Sequence, residues 1–277
     1  MKTSEIGIIG GSGIYNMENV EIINEHSVDT PFGKPSSKII EARFDEITFY
    51  FLPRHGKNHS ILPSEVNYRA NIFALKKMGV RYLISVSAVG SLEEDCPPSS
   101  FVLPDQFIDW TKGKRERTFF GDGIIGHVSV ANPICKKLQQ HLGKACNDLD
   151  IKHKLNGSYI CIEGPQFSTK AESNIYRSFG ASVIGMTNVP ESYLAKEAGI
   201  SYATVAMVTD YDCWKEEHCN VIDILKIMKG NNEKAQVLIK SVLSSLSKDR
   251  FKFDTENEVG IMTPYNQLSE KSKEIVD

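Results

Sequence analysis

The sequence predicts an α/β fold with a largely parallel central sheet and helices on both faces. Three observations carry this expectation. Short apolar runs alternate with segments of helical periodicity along the chain; no internal repeat or low-complexity linker interrupts them; and nearly every unusual polar cluster follows a strand-like run. Ligands of open α/β sheets gather at the carboxyl ends of strands. The third observation therefore also says where chemistry is to be sought.

The elements follow in order. "EIGIIG" (5–10) is a short apolar strand ending in glycines. "KIIEARF" and "ITFYFLP" flank Asp45-Glu46 and read as a hairpin. "SEVNYRANIFALKKMG" begins at Ser64, repeats apolar residues at helical spacing and stops at Gly79. "RYLISVSAVG" is a buried strand, and "FVLP" and "QFIDW" are two more. A helix is expected over 133–149, a strand at "GSYICIEG", a helix over 170–179 and a strand at "ASVIGMT". Pro190 opens a helix to Gly199, as a proline at the first helical position does. "SYATVAMVT" is a strand, and a long helix covers roughly 221–246. One domain is expected over 1–277, with the polar tail beyond about 250 left without an assigned element.

Composition narrows the function classes. The chain has 277 residues, 41% apolar and 24% charged, with a net charge of -3, which is ordinary for a globular protein. It has no long basic run, so non-specific nucleic-acid binding is disfavoured. The N-terminus lacks a signal-peptide layout and no segment reaches membrane-spanning length, so a cytoplasmic location is expected. Six scattered cysteines form no CxxC pair and read as small buried residues or free thiols, with a Cys213–Cys219 disulfide as the alternative.

Four strand ends carry groups suited to an anion. "GGSG" places Ser12 among glycines that let backbone approach a ligand; read alone, it fits a tight turn equally well. It matches neither GxGxxG nor GxxxxGK[ST]. "PRHG" places Arg54, a planar fork suited to phosphate, beside His55, which adds a donor. His55 and His59 also form HxxxH, but no acid or cysteine sits nearby to complete a metal set, and no metal is expected. "SVSAVGSL" offers Ser87 and Ala88, and "GMTNVPE" offers Met186 and Thr187 before a helix N-terminus. Together these form a phosphate-sized set with one fixed positive charge and no acid.

Two other clusters suit a nucleobase. Phe167 and Ser168 in "CIEGPQFST" could border a flat ring, core packing being the plainer alternative. In "TDYDCW", Asp210 and Asp212 are two apart, so on a strand they would face the same side. Adjacent carboxyls in a dry pocket tend to share one proton. That pair complements adenine, whose N7 accepts and whose exocyclic amine donates.

These segments, with "NYRANIFALK", "DQFIDWT", "IEGPQFSTKAES" and "LAKEAGI", resemble the 5′-methylthioadenosine phosphorylases of the trimeric purine nucleoside phosphorylase branch, from about residue 5 to 245. In look the archaeal members are closest. The resemblance implies a three-layer α/β/α sandwich around a mixed, partly barrel-like central sheet. It implies phosphorolysis of methylthioadenosine in purine and methionine salvage, with inorganic phosphate as co-substrate and no cofactor.

Carried over by motif, Ser12, Arg54, His55, Ser87, Ala88 and Thr187 hold phosphate; Phe167, Ser168, Met186, Asp210 and Asp212 hold the nucleoside, with the two aspartates catalytic. Ile222 (or Val221) would meet the 5′ substituent. His127 in "GHVSVANP" would reach a neighbouring subunit's site in a homotrimer or dimer of trimers. Ser12 and Ser87 stand where some members have threonine. The alternative activity is phosphorolysis of adenosine or of 6-oxopurine nucleosides, including methylthioinosine. Rivals from other classes are a non-catalytic phosphate-ligand binder and a metal hydrolase using His55 and His59.

Overall fold

The computed structural model describes residues 5–11, 17–215, 221–248 and 259–277. Along the chain run β1 (Ile6–Gly10), β2 (Val20–His26), β3 (Ile39–Phe44), β4 (Ile47–Pro53), α1 (Tyr68–Lys77), β5 (Tyr82–Ser91), β6 (Phe101–Leu103), β7 (Gln106–Trp110) and β8 (Gly126–His127). Then come α2 (Lys136–Asp148), β9 (His153–Leu155), β10 (Ser158–Ile162), α3 (Lys170–Ser178), β11 (Ala181–Gly185), α4 (Asn188–Glu197), β12 (Ser201–Asp210), α5 (Val221–Lys248), β13 (Gly260–Ile261) and α6 (Glu270–Val276).

Eleven strands form one sheet with the path β2-β3-β4-β1-β5-β11-β10-β7, and β12, β6 and β9 branch from β5. The central members β1, β11 and all but the last residue of β12 are buried, as continuous apolar runs in a covered sheet should be. The sheet is mixed. β1 runs parallel to β4 and β5, and β5 parallel to β12, whereas β5 meets β11 antiparallel. Helix α1 packs on α4 and α2 on α5; α2, α4 and α5 all lie against β12. No helix among the described residues is long and apolar enough to cross a membrane.

Local chemistry explains most boundaries. The β3–β4 hairpin turns at Asp45, which adopts φ 51°, a conformation Asp tolerates better than most residues. Helix α1 starts at Tyr68 rather than Ser64. The Asn67 side chain accepts from the Ala70 N–H (3.1 Å) and caps the helix there, while Gly79 at φ 86° ends it as expected. Helix α2 starts at Lys136 rather than near Pro133, because Cys135 is extended and its N–H is bound to the Tyr202 carbonyl. Helix α3 has a capping box between Thr169 and Glu172. Within α4, Val189 is extended, so continuous helical turns begin at Pro190.

Four strands and helix α6 were absent from the sequence expectation. Strand β2 is a largely exposed edge strand without clean alternation, and β8, β9 and β13 are too short to show a period. The tail is not featureless: β13 pairs with β8, and α6 follows. Cys96, Cys146, Cys161 and Cys213 carry free thiols; Cys219, the other half of the alternative disulfide, lies outside the described residues.

Candidate active site

The site begins with a fork in the sheet. Strand β5 pairs with β1 from Tyr82 to Ser85, then with β11 from Gly90 to Ser91. Between those contacts, Val86 to Val89 face neither neighbour on that side, while β12 stays paired along the other. A gap between strands leaves backbone groups and side chains open to a ligand. Ala88 is the exposed residue in a stretch of β5 otherwise buried from Tyr82 to Val89. Ser87, Ala88, Thr187 and Arg54 all border this fork or its rims.

Arg54 follows β4, and its backbone N–H donates to the Gly10 carbonyl at the end of β1 (2.9 Å). Its guanidinium is buried and is not the free fork the sequence suggested. Nε donates to Glu191 Oε2 (2.6 Å) and Nη2 to Glu191 Oε1 (2.9 Å) and Ser85 Oγ (2.7 Å); Nη1 donates to the Val86 carbonyl (3.1 Å). Burial works against the charge, but attraction and hydrogen bonding to Glu191 outweigh it and hold the guanidinium firmly protonated. The expectation of a set without an acid is therefore corrected: Glu191, from α4, is fully buried beneath it.

His55 also differs from expectation. Its Nδ1 lies 2.9 Å from the Ile61 carbonyl, which can only accept, so Nδ1 carries the proton and Nε2 is an acceptor. Burial, then the Arg54 charge, push its pKa down to about 4, against the pull of the Ile61 bond. The unfolded chain then binds this proton below about pH 6.5 and the folded chain only below about 4. Stability should fall by up to about 3 kcal/mol on acidification across that window, and His55→Gln should flatten the fall. Denaturant midpoints measured from pH 7 to 4 check this. The His55 and His59 rings lie 4.7 Å apart, yet the one group of described residues with metal-ligand spacing is Glu93, Asp95 and Cys96, where Lys154 already pairs with both acids.

On the fork's other rim, the Ser87 hydroxyl donates to Asn188 Oδ1 (3.2 Å), and Thr187 Oγ1 is buried without a partner among the described residues. A buried unpaired hydroxyl is costly unless a ligand or water meets it. Met186 is fixed from two sides. Its carbonyl accepts from Arg115 Nη1 (2.7 Å), and its sulfur lies where a side chain on Gly164 (φ 68°) would stand. Arg115 is buried and also binds Glu163 Oε1 (2.7 Å) and the carbonyls of Val189, Ile162 and Glu163. It thereby ties the ends of β10 and β11 together.

The aspartates stand across the fork. Asp210 ends β12 opposite Gly90, after a register shift following Val208. Asp212 lies past the strand in a turn, so the two-residue rule for strands does not apply to it. The side chains converge all the same: Asp212 Cβ and Asp210 Oδ2 lie 3.4 and 3.5 Å from the position a Gly90 Cβ would take. Burial is the first cause lifting the Asp210 pKa. The Thr209 hydroxyl bond (2.7 Å) opposes it, and the Asp212 charge adds to it. Burial likewise lifts Asp212 against the nearby hydroxyls of Ser173 and Ser168. Both hydroxyls stand near the carboxyl, yet among the described residues neither they nor Asp212 Oδ2 complete a well-formed hydrogen bond, leaving three polar atoms on one wall for a ligand to meet.

Two anchors hold that wall. Trp214 Nε1 donates to the Ser91 carbonyl (2.8 Å) with Arg177 stacked over its ring at 3.9 Å. Cys213 Sγ bonds the Ser168 carbonyl (3.2 Å), joining the Phe167–Ser168 loop to the aspartate turn. Phe167 is 75% exposed, so it is not a core residue. The structure thus gathers Arg54, His55, Ser87, Ala88, Thr187 and Met186 on one side and Ser168, Asp210 and Asp212 on the other. Ile222 and His127 are both exposed, one at the start of α5 and one on β8. Ser12 lies outside the described residues. Sequence reasoning missed Glu191, Asn188, Ser173 and Arg115; Glu191, Asn188 and Ser173 lay in segments it had singled out, and Arg115 did not.

The model of the phosphorylase superfamily matches residues 5–244. The chain belongs to this superfamily. Among curated relatives, the S-methyl-5′-thioadenosine phosphorylase of Geobacter sulfurreducens is 49% identical over 247 residues, covering 88% of this chain and 86% of that one. Those of Thermosynechococcus vestitus (46%, covering 98% and 96%) and of the archaeon Thermofilum pendens (47%, covering 90% and 95%) are similar. Among solved structures, a methylthioadenosine phosphorylase from an antarctic soil metagenomic library superposes with a TM-score of 0.93 at 43% identity, covering 100% of this chain and 98% of that one. The Schistosoma mansoni enzyme in complex with adenine gives 0.84 at 38%, covering 89% and 93%. The chain therefore has the α/β fold with a mixed sheet of these phosphorylases.

Proposed function

We propose that this enzyme cleaves 5′-methylthioadenosine with inorganic phosphate, giving adenine and 5-methylthioribose 1-phosphate. The observation that carries this is the pair of carboxyls converging over Gly90, across a fork rimmed by Arg54, Ser87 and an unpaired Thr187 hydroxyl. A phosphate binder alone gains nothing from two acids facing its anion; a bisubstrate pocket does.

In this reading the C1′–N9 bond breaks ahead of phosphate attack. The electron pair moves onto the purine, and protonated Asp210 gives its proton to N7 as general acid. Asp212 and Ser168 meet the remaining base edge, and Phe167 covers the ring. Thr187, Ser87, the Ala88 backbone, His55 (accepting the phosphate O–H at Nε2) and Ser12 orient phosphate on the opposite face, where one oxygen forms the new bond to C1′. Met186 lies along the ribose, and Ile222 meets the 5′ substituent. No cofactor enters these steps; phosphate is a co-substrate.

The reading extends to one phosphorylase domain over 1–277, acting in the cytoplasm in purine and methionine salvage. It assembles as a homotrimer or dimer of trimers in which His127 reaches the neighbouring pocket.

The test is adenine release from methylthioadenosine with and without phosphate. Release is expected only with phosphate, one phosphate consumed per adenine. Equal release without it would mean hydrolysis and overturn the proposal. Adenosine and methylthioinosine, run alongside, measure how strictly the 5′ and 6 positions are read.

A further inference from the structure

We infer that Glu191 is a positioning residue that locks the protonated Arg54 into an ion pair of no net charge, so that phosphate meets a fixed N–H donor instead of a free cation and is held loosely enough to react. The inference rests on the phosphorolysis reading.

The geometry is that of a closed pair. Arg54 has five N–H bonds. Nε and Nη2 are spent on Glu191 and Ser85, and one Nη1 proton is spent on the Val86 carbonyl; among the described residues, one Nη1 proton is left over. Glu191 is as fully engaged. Its Oε2 accepts from Arg54 Nε, and its Oε1 from Arg54 Nη2, Ser85 Oγ (2.8 Å) and Tyr202 OH (2.9 Å). Asn188 closes the network: Nδ2 lies within bonding distance of Ser85 Oγ (3.0 Å) and Thr204 Oγ1 (2.8 Å), while Oδ1 receives the Ser87 hydroxyl. Arg54, Glu191, Asn188, Ser85, Tyr202 and Thr204 are all buried.

Two consequences follow. The guanidinium cannot swing toward an anion, because its plane is fixed by a bidentate carboxylate. Its field at the fork is offset by a carboxylate bonded to the same group, so the anion meets a dipole and a set of hydroxyls instead of a net charge. Tight binding of the ground-state anion would lower KM without speeding reaction. A neutralised cradle keeps the phosphate oxygen nucleophilic while still fixing its orientation.

The experiment measures KM for phosphate, KM for methylthioadenosine and kcat separately in the parent enzyme, Glu191→Gln, Arg54→Met and the double variant Arg54→Met/Glu191→Met. Glu191→Gln should lower KM for phosphate roughly tenfold and lower kcat, leaving KM for the nucleoside unchanged. Inorganic phosphate should also raise its thermal midpoint more than it raises the parent's, since the anion becomes the counter-charge of Arg54.

If Glu191→Gln fails to fold even with phosphate, the Met pair decides. Arg54→Met leaves a bare carboxylate beside the anion and should raise KM for phosphate far more than the double variant does. A Glu191→Gln enzyme with unchanged or raised KM for phosphate, or a double variant as impaired as Arg54→Met, overturns the inference. Parent turnover independent of phosphate would instead overturn the phosphorolysis reading itself.

Discussion

Asp210→Asn is expected to lower kcat/KM for methylthioadenosine by about 10²–10⁴-fold, the range over which a positioned general acid contributes. The amide keeps the size of the carboxyl and can still accept from Thr209, so the wall should stand. What is lost is the proton destined for purine N7. An amide also presents a donor where a 6-oxopurine offers acceptors. Discrimination against methylthioinosine should therefore shrink in the same variant. Steady-state kinetics on both nucleosides, with phosphate saturating, check both parts. Unchanged turnover of methylthioadenosine would remove Asp210 from the mechanism. The burial that lifts its pKa has a structural origin: Gly90 has no side chain to separate the two acids, and Ile184 Cγ2 lies 3.1 Å from where one would begin.

Arg115→Met should be strongly destabilising. Breaking a buried pair by removing one partner typically costs about 3–5 kcal/mol, because the other charge stays behind. Here, among the described residues, the Glu163 carboxylate would keep only the Lys112 N–H (2.9 Å), and the carbonyls of Met186, Val189 and Ile162 would each lose a donor. Chemical denaturation should show the midpoint drop. Arg115→Met/Glu163→Met should recover a large part of it, since no charge is then stranded. In material that folds, KM for the nucleoside should rise more than KM for phosphate, because Met186 is the site residue Arg115 holds.

What was legible in the sequence was local. The Asp45 hairpin, the Gly79 helix stop and the strand-end position of Arg54, Ser87, Thr187 and Asp210 all depend on neighbours within a few residues. What was illegible was distant or two-sided. Glu191 lies 137 residues from Arg54 in the chain, and nothing in "PRHG" announces that its arginine is already paired. The side-by-side aspartates were read from strand periodicity, yet Asp212 is off the strand and reaches Asp210 by a turn pinned through Trp214. Their raised pKa values owe more to burial than to mutual repulsion, and burial is a property of the folded site. His55 reads as a donor in the sequence, but in the fold its Nδ1–H is spent on the Ile61 carbonyl six residues away.

The β8–β13 ribbon sets an order of events during synthesis. Gly260 pairs with His127 and Ile261 with Gly126, while Ile125 receives and donates bonds to Met262 and Thr263. A nascent chain folds from its N-terminus as it emerges, so the fork and both its rims, complete by the end of the Asp212 turn, can assemble before β13 is translated. The loop bearing His127 cannot gain this backbone partner until Gly260 and Ile261 have themselves been synthesised. Completion of that loop is thus a late step, and a chain cut before Gly260 would keep the residues of the fork but lack this ribbon.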